Sequence, residues 1–300
     1  MSTLGIPKIL LIGSDGQLGW ELHRCLAPVG QVIAASLDGV HGPAVDLADA
    51  GSLRRLFDAV APDVVVNAAA YTAVDKAETE IELAMAINAA APALIAELAA
   101  ATGIPVVHYS TDFVFSGHTD HPYREVDTPQ PLSVYGKSKL AGEQALLNSA
   151  AKALVLRTAW LYGVRGSNFL LTMRRLFGER SQLRVVDDQI GTPTWSRMLA
   201  EVTANILYRL VQGDLDIDQV QGLYHVTSGG AISWCGFAKA ICEGVGADCQ
   251  IIPIPSSEYQ APAQRPAYSV LDTAHFRDTF GLVLPDWRQS LTLCLDDLKH

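Results

Sequence analysis

The chain has 300 residues, 49% of them hydrophobic and 18% charged, with a formal net charge of −10 at pH 7. That length exceeds one ordinary core and predicts a large domain with an appended lobe, or two domains; the composition excludes a disordered chain. The acidic balance, with no offsetting Lys/Arg cluster, argues against a nucleic-acid or anionic-membrane partner, so an anionic ligand needs a local site.

The first residues carry no basic leader pattern, which sets a cytoplasmic location as the expectation. The longest apolar stretch, residues 84–107, is interrupted by Asn88, Pro92, Glu97 and Pro105 and does not read as a membrane span. Five cysteines, at 25, 235, 242, 249 and 294, include no C-x-x-C pair and read as free thiols.

In chain order, Lys8-Ile-Leu-Leu-Ile12 predicts a buried strand, and Gly13-Ser-Asp15-Gly16-Gln17-Leu18-Gly19 a tight turn opening a helix over 20–26. Such a turn is a phosphate cradle, because glycine admits close backbone approach while free N–H groups and the helix dipole attract an anion. The spacing G-x-x-G-x-x-G is one residue longer between its first two glycines than the usual dinucleotide fingerprint. A second strand, 31–35, ends at Ser36, where dinucleotide folds place the group that reads the adenosine ribose. Ser36 neither binds a ribose diol strongly nor repels a 2′-phosphate; Asp38 stands close enough to compete, and no arginine is near. NADPH or NADH is therefore admissible, with a lean to NADPH.

Asp46-Leu47 falls in a loop before an i, i+3, i+4, i+7 stripe of Leu53, Leu56, Phe57 and Val60, which predicts a helix over 52–60. Val64-Val-Val66 is a fully apolar strand running into Asn67-Ala68-Ala69-Ala70, small residues past which a flat ligand can lie. An Ala-rich helical region over 76–101 leads to a strand at 106–109, then to Ser110-Thr111-Asp112-Phe113. Strand alternating with helix implies a doubly wound parallel α/β sheet, whose ligands bind at the carboxyl ends of the strands.

Beyond a Pro-rich loop, Tyr135 and Lys139 stand four apart at the start of a predicted helix and so share one face. A phenol with an ordinary pKa near ~10 needs a neighbouring cation to act as a proton donor at neutral pH. A strand at 153–157, helices at 168–177, 196–211 and 232–245 and strands at 183–186 and 224–226 complete the reading. The expected division is a dinucleotide-binding domain over 1–162, rejoined by 196–228, and a substrate lobe of 163–195 and 229–300.

Taken together, these motifs resemble the extended short-chain dehydrogenase/reductases, and within them the dTDP-4-dehydrorhamnose reductases. The likeness runs through the Gly13–Gly19 turn, Asn67-Ala-Ala-Ala-Tyr71, Ser110-Thr-Asp112, Tyr135-Gly-Lys-Ser-Lys139, Arg157-Thr-Ala-Trp160, Asp188-Gln-Ile-Gly-Thr-Pro-Thr194 and Arg265-Pro266. It implies a Rossmann-type sheet with a small C-terminal lobe, and reduction of the C4 ketone of a dTDP-sugar by NAD(P)H. In its terms Tyr135 is the general acid, Lys139 lowers its pKa and binds the nicotinamide ribose, and Thr111 bonds the substrate oxygen. Asp112, Phe113 and Trp160 face the sugar, while Asn168 and Arg265 lie toward the nucleotide. Gly13, Asp15, Gly16, Gln17, Leu18, Gly19, Ser36, Asp46, Leu47, Asn67, Ala68, Ala69 and Tyr71 complete the cofactor set.

Phe113 stands where many relatives have Tyr, and it leaves out the second acid that the related 4,6-dehydratases use after the threonine. Some relatives hold a divalent metal with interfacial acids; Glu21 fits that, but Arg197 stands where another carboxylate is expected, and no metal is assigned. A homodimer is expected. The alternatives are a reductase for another dTDP-4-keto-6-deoxysugar, or a non-catalytic subunit of the same fold resembling the regulatory beta subunit of methionine adenosyltransferase.

Overall fold

Four largely apolar stretches become the inner strands of one six-stranded sheet, as strands covered by helices on both faces must. The computed structural model describes residues 6–299. In order come β1 (Lys8–Ile12), α1 (Gln17–Leu26), β2 (Gln31–Ala35), α2 (Ala50–Val60), β3 (Val64–Asn67), α3 (Val74–Ala77), α4 (Ile81–Met85), α5 (Ala91–Thr102) and β4 (Pro105–Thr111). There follow α6 (Val134–Leu147), β5 (Lys152–Thr158), β6 (Leu161–Tyr162), α7 (Phe169–Glu179), β7 (Gln182–Val186), β8 (Ile190–Gly191), β9 (Thr194–Trp195) and α8 (Ser196–Gln212). The chain ends with α9 (Ile217–Val220), β10 (Gly222–His225), β11 (Ile232–Ser233), α10 (Trp234–Gly244), β12 (Gln250–Ile254), α11 (Ala274–Phe280) and α12 (Trp287–Asp297).

The sheet order is β10-β5-β4-β3-β1-β2, parallel throughout. Strand order reverses at β1, between β2 and β3, so a crevice opens outside the carboxyl ends of β1 and β3, where such folds bind ligands. One face of the sheet is packed by α1, α8 and α11 through Leu22, Leu199, Leu207, Phe276 and Phe280. The other is packed by α2 and α5 through Leu53, Phe57, Leu94 and Ile95. A third core, containing Tyr162, Phe177, Phe237 and Trp287, lies in the C-terminal part.

Several expectations shift. The region expected as one helix over 76–101 is α3, α4, a π-helical turn (Ala86–Ala90) and α5. Pro92 lies at the start of α5 and has no N–H to give the Asn88 carbonyl, and a π turn absorbs that lost bond. The α4–α5 segment, Ile81–Thr102, is long and apolar enough by length and composition to cross a membrane, but Leu94, Ile95 and Ala99 are buried in the sheet's second core. β4 runs two residues past its expected end, because Ser110 and Thr111 still pair with Arg157 and Thr158 of β5. α11 falls in the expected lobe but packs its phenylalanines on the sheet core.

At the centre, Arg157 and Glu143 are buried, 1% and 2% exposed. The guanidinium donates from Nε to Glu143 Oε2 at 2.9 Å and from Nη2 to Oε1, a two-pronged bond joining β5 to α6. Its Nη1 meets His225 Nε2 at 3.3 Å, and His225 Nδ1 lies 3.0 Å from the Tyr123 carbonyl. Burial and Arg157 push that imidazole down to about 3, so it is neutral and accepts from the guanidinium through Nε2.

Candidate active site

Gly13 follows β1 at φ +82, and a Cβ there would meet Ala69 N at 2.6 Å. The turn after β1 and the segment after β3 thus touch across the switch point, which only a glycine permits. α1 starts at Gln17 with Gly16 as its N-cap and no side chain capping it, so its first N–H groups face a cavity of about 690 Å³. This end fits the pyrophosphate of a dinucleotide. Gly13, Asp15, Gly16, Gln17 and Leu18 line it, with Ala68 and Ala69 opposite.

The same cavity extends over β4 and α6. Its lining includes Thr111, Asp112, Phe113, Tyr135, Lys139 and Trp160, and Arg265 also reaches it. Ser133 caps α6 by accepting from the Gly136 N–H at 3.2 Å, which fixes Tyr135 in the first turn and Lys139 one turn on. The Phe113 ring packs on the Tyr135 ring in a T-shaped contact at 5.6 Å. Burial pushes the Tyr135 phenol up to about 12; the Thr111 hydroxyl lowers it, and the Asp112 charge raises it. The phenol is therefore protonated at neutral pH, as a donor must be. Lys139 Nζ donates to the Tyr109 carbonyl at 2.6 Å. Burial brings the ammonium down to about 8, against the opposing pull of Glu143.

Asp112 accepts from Thr111 Oγ1 at 3.1 Å through Oδ1. Burial pushes its carboxyl up to about 6, although the Ser269 and Thr111 hydroxyls hold it down. Asp112 Oδ2, Ser110 Oγ and Thr158 Oγ1 are buried without a hydrogen-bond partner, and all three residues line the cavity. Polar atoms left unpaired in a buried site call for a polar ligand.

Trp160 closes one wall. Its φ of +46 is strained for a bulky residue, and its indole stacks on that of Trp234 with centroids 3.5 Å apart. Gly191 lies against it, and a Cβ at 191 would overlap the indole. Arg265 donates to Asp75 Oδ2 at 2.9 Å and to the Ala263 carbonyl at 3.1 Å.

The remaining predicted residues do not line the cavity. Gly19 packs against the Gly13 carbonyl. Ser36 donates to Asp38 Oδ1 at 2.7 Å. Asp46 accepts from the Ala48 N–H, and Leu47 is part of a core. The Tyr71 hydroxyl bonds Glu80 while its backbone pairs with the Asn88 amide. Asn67 Nδ2 meets His108, and Asn168 caps α7 while donating to the Gly163 carbonyl at 3.0 Å. The sequence reading gave neither Trp234 nor His108 a role at the site. A histidine inside an otherwise apolar strand is the signal that marks the second; Trp234, at the first turn of a helix, carries no such signal.

Glu21 is met by Arg197 Nε at 3.2 Å, and the same guanidinium pairs with Asp297. Among the described residues no three His, Cys, Asp or Glu side chains are grouped to hold a metal ion, and the five cysteines are free thiols.

The RmlD substrate binding domain family matches residues 7–300. The chain belongs to this family of dTDP-4-dehydrorhamnose reductases. It is 44% identical over 299 residues to the dTDP-4-dehydrorhamnose reductase of Burkholderia thailandensis, covering 97% of this chain and 99% of that one. It is likewise 44% identical over 299 residues to the Salmonella typhimurium enzyme of that name, with 97% and 98% covered. The crystal structure of the Bacillus anthracis dTDP-4-dehydrorhamnose reductase in complex with NADP is 33% identical, with a TM-score of 0.89 over 97% of this chain and 99% of that one.

Proposed function

We propose that this enzyme reduces the C4 ketone of dTDP-4-dehydro-L-rhamnose to give dTDP-L-rhamnose, with NADPH or NADH as the reductant. The observation that carries it is one cavity holding the uncapped α1 turn at one end and Thr111, Asp112, Tyr135 and Lys139 at the other. Gly13, Gly16, Gln17 and Leu18 would hold the pyrophosphate, Ala68 and Ala69 the flat of the dinucleotide, and Lys139 a ribose hydroxyl. With a nicotinamide bound there, the hydride for C4 would come from the cofactor.

The residues of the chain handle the proton. Negative charge gathers on the C4 oxygen as the carbonyl is reduced, and the Tyr135 O–H delivers its proton there, since an alkoxide is far more basic than a phenolate. Thr111 bonds the same oxygen. Lys139, one helical turn along, offers the positive charge that stabilises the phenolate left behind. Phe113 fixes the ring plane of Tyr135 through its edge contact. Asp112 Oδ2 is placed to accept from a sugar hydroxyl, Trp160 covers the sugar, and Arg265 and Asn168 lie toward the diphosphate and nucleotide. Ser36, Asp46, Leu47, Asn67 and Tyr71, outside the cavity lining, would complete the cofactor set.

The sheet with α1–α6, α8 and β10 forms the cofactor-binding body, and α7, β7, α10 and α12 form the substrate lobe. Free thiols at all five cysteines suit a reducing cytoplasm, and the exposed Ile81 and Met85, on one face of α4, offer apolar surface for a homodimer. Sedimentation of the purified chain checks the second point. Following cofactor absorbance with dTDP-4-dehydro-L-rhamnose tests the central reading, and a chain that binds cofactor but never oxidises it in the presence of that sugar refutes it.

A further inference from the structure

His108 interrupts the apolar run of β4 and is 1% exposed. Its hydrogen bonds settle which ring nitrogen carries the proton. The Ala69 N–H donates to Asn67 Oδ1 at 3.2 Å, so the other end of that amide, Nδ2, faces His108 Nδ1 at 3.1 Å. An amide NH₂ only donates, so Nδ1 accepts. Burial, with the Lys139 charge adding to it, holds this imidazole well below its usual range, so the ring is neutral and its single proton sits on Nε2. Nε2 lies 3.5 Å from Lys139 Nζ. An N–H therefore confronts an ammonium, and neither can accept from the other.

The same fold shows the opposite arrangement where a cation is held. At His225 the Tyr123 carbonyl takes the Nδ1 proton and leaves Nε2 free to accept from Arg157. We propose that Asn67 and His108 are positioning residues for Lys139: by locking the imidazole as its Nε2–H tautomer they turn a donor toward the ammonium, weaken its seat on the Tyr109 carbonyl, and favour its engagement with an oxygen on the cavity side. The inference rests on Lys139 being the cation of the reductase site.

The other charged groups around Lys139 do not reproduce this effect. Glu143, one turn on, favours the ammonium but is shared with Arg157 from β5. Tyr135 is a neutral phenol, Asp112 directly follows β4 and accepts from the Thr111 hydroxyl, and Glu78, just past α3, accepts the Val134 N–H. The π turn contributes only neutral Asn88, which bonds Ser138.

Ring-nitrogen NMR on the ligand-free, ¹⁵N-histidine-labelled chain tests the tautomers. His108 is expected as the neutral Nε2–H form between pH 6 and pH 9 and His225 as the Nδ1–H form; a protonated or Nδ1–H His108 overturns the proposal. In ¹³Cε-lysine-labelled protein, His108→Phe is expected to raise the Lys139 midpoint by about half a unit or more. The falling limb of kcat/KM should move with it, and an unchanged or lowered midpoint also overturns the proposal. Should the variant not fold, the tautomer of the unaltered chain still decides. Neither spectrum needs a sugar, so failure of the reductase reading would show separately, as absent turnover.

Discussion

The Nζ of Lys139 and the carbonyl oxygen of Tyr109 lie 2.6 Å apart, which ties the predicted cation of the site to the strand that carries Thr111. Lys139 and the proton donor share one face of α6, while the ammonium is bonded to β4. With the ammonium brought down to about 8, it loses its charge as pH rises through that value. Turnover is expected to fall above pH 8, and a rate that stays flat to pH 10 contradicts the role given to Lys139. Tyr135→Phe is expected to lower kcat by about 10²- to 10⁴-fold with little change in cofactor Kd, as for loss of a positioned general acid.

Asp112 predicts a pH-dependent stability. Its folded pKa, about 6, lies above the ordinary value of 3.8, so the folded chain binds more protons between those values and loses stability as pH rises through them. The group is fully buried, and a shift of about two units corresponds to roughly 3 kcal/mol. Asp112→Asn should therefore gain in Tm over the parent chain as pH increases from 4 to 7, while its turnover falls. Thermal melts across that range measure it, and a gap that does not widen sinks the assignment.

Glu143→Gln would leave the Arg157 guanidinium buried without its counter-charge. Breaking a buried pair from one side costs about 3–5 kcal/mol, and urea unfolding of the variant should show a loss of that size. A loss under about 1 kcal/mol would mean that His225 and solvent satisfy Arg157 unaided.

Gly191→Ala would push the Trp160 indole off its stack with Trp234. Displacement of a group that positions substrate costs on the order of tenfold to a hundredfold in kcat/KM. The cofactor Kd should hold, because Gly191 does not line the cavity that the glycine turn borders. Equal losses in sugar and cofactor binding would remove Trp160 from the sugar wall.

Asp38 is held ionised by the Ser36 hydroxyl and the Val40 N–H, beside the point where the adenosine ribose is expected. A carboxylate there repels a 2′-phosphate, so Asp38→Ala should raise kcat/KM for NADPH relative to NADH. Parallel assays with the two cofactors read the ratio, and an unchanged ratio places the ribose elsewhere.

Local chemistry in the sequence determined a good deal. Strands at 8–12, 31–35 and 64–66, the glycine turn and the four-residue spacing of Tyr135 and Lys139 were all legible, because apolar runs, glycines and helical period act within a few residues. The cavity wall from Gly13 to Leu18 and from Thr111 to Phe113 follows from strands that end at one edge of a parallel sheet. What only the tertiary structure decided depends on partners far apart in the chain. Lys139 finds the Tyr109 carbonyl, 30 residues away; Trp160 meets Trp234, which no period connects to it. The Tyr135 phenol is raised, since burial and the Asp112 charge outweigh the Thr111 hydrogen bond. Spacing fixes which side chains share a face, but the desolvation and hydrogen bonds that set their proton affinities exist only once the sheet, α6 and the lobe close around them.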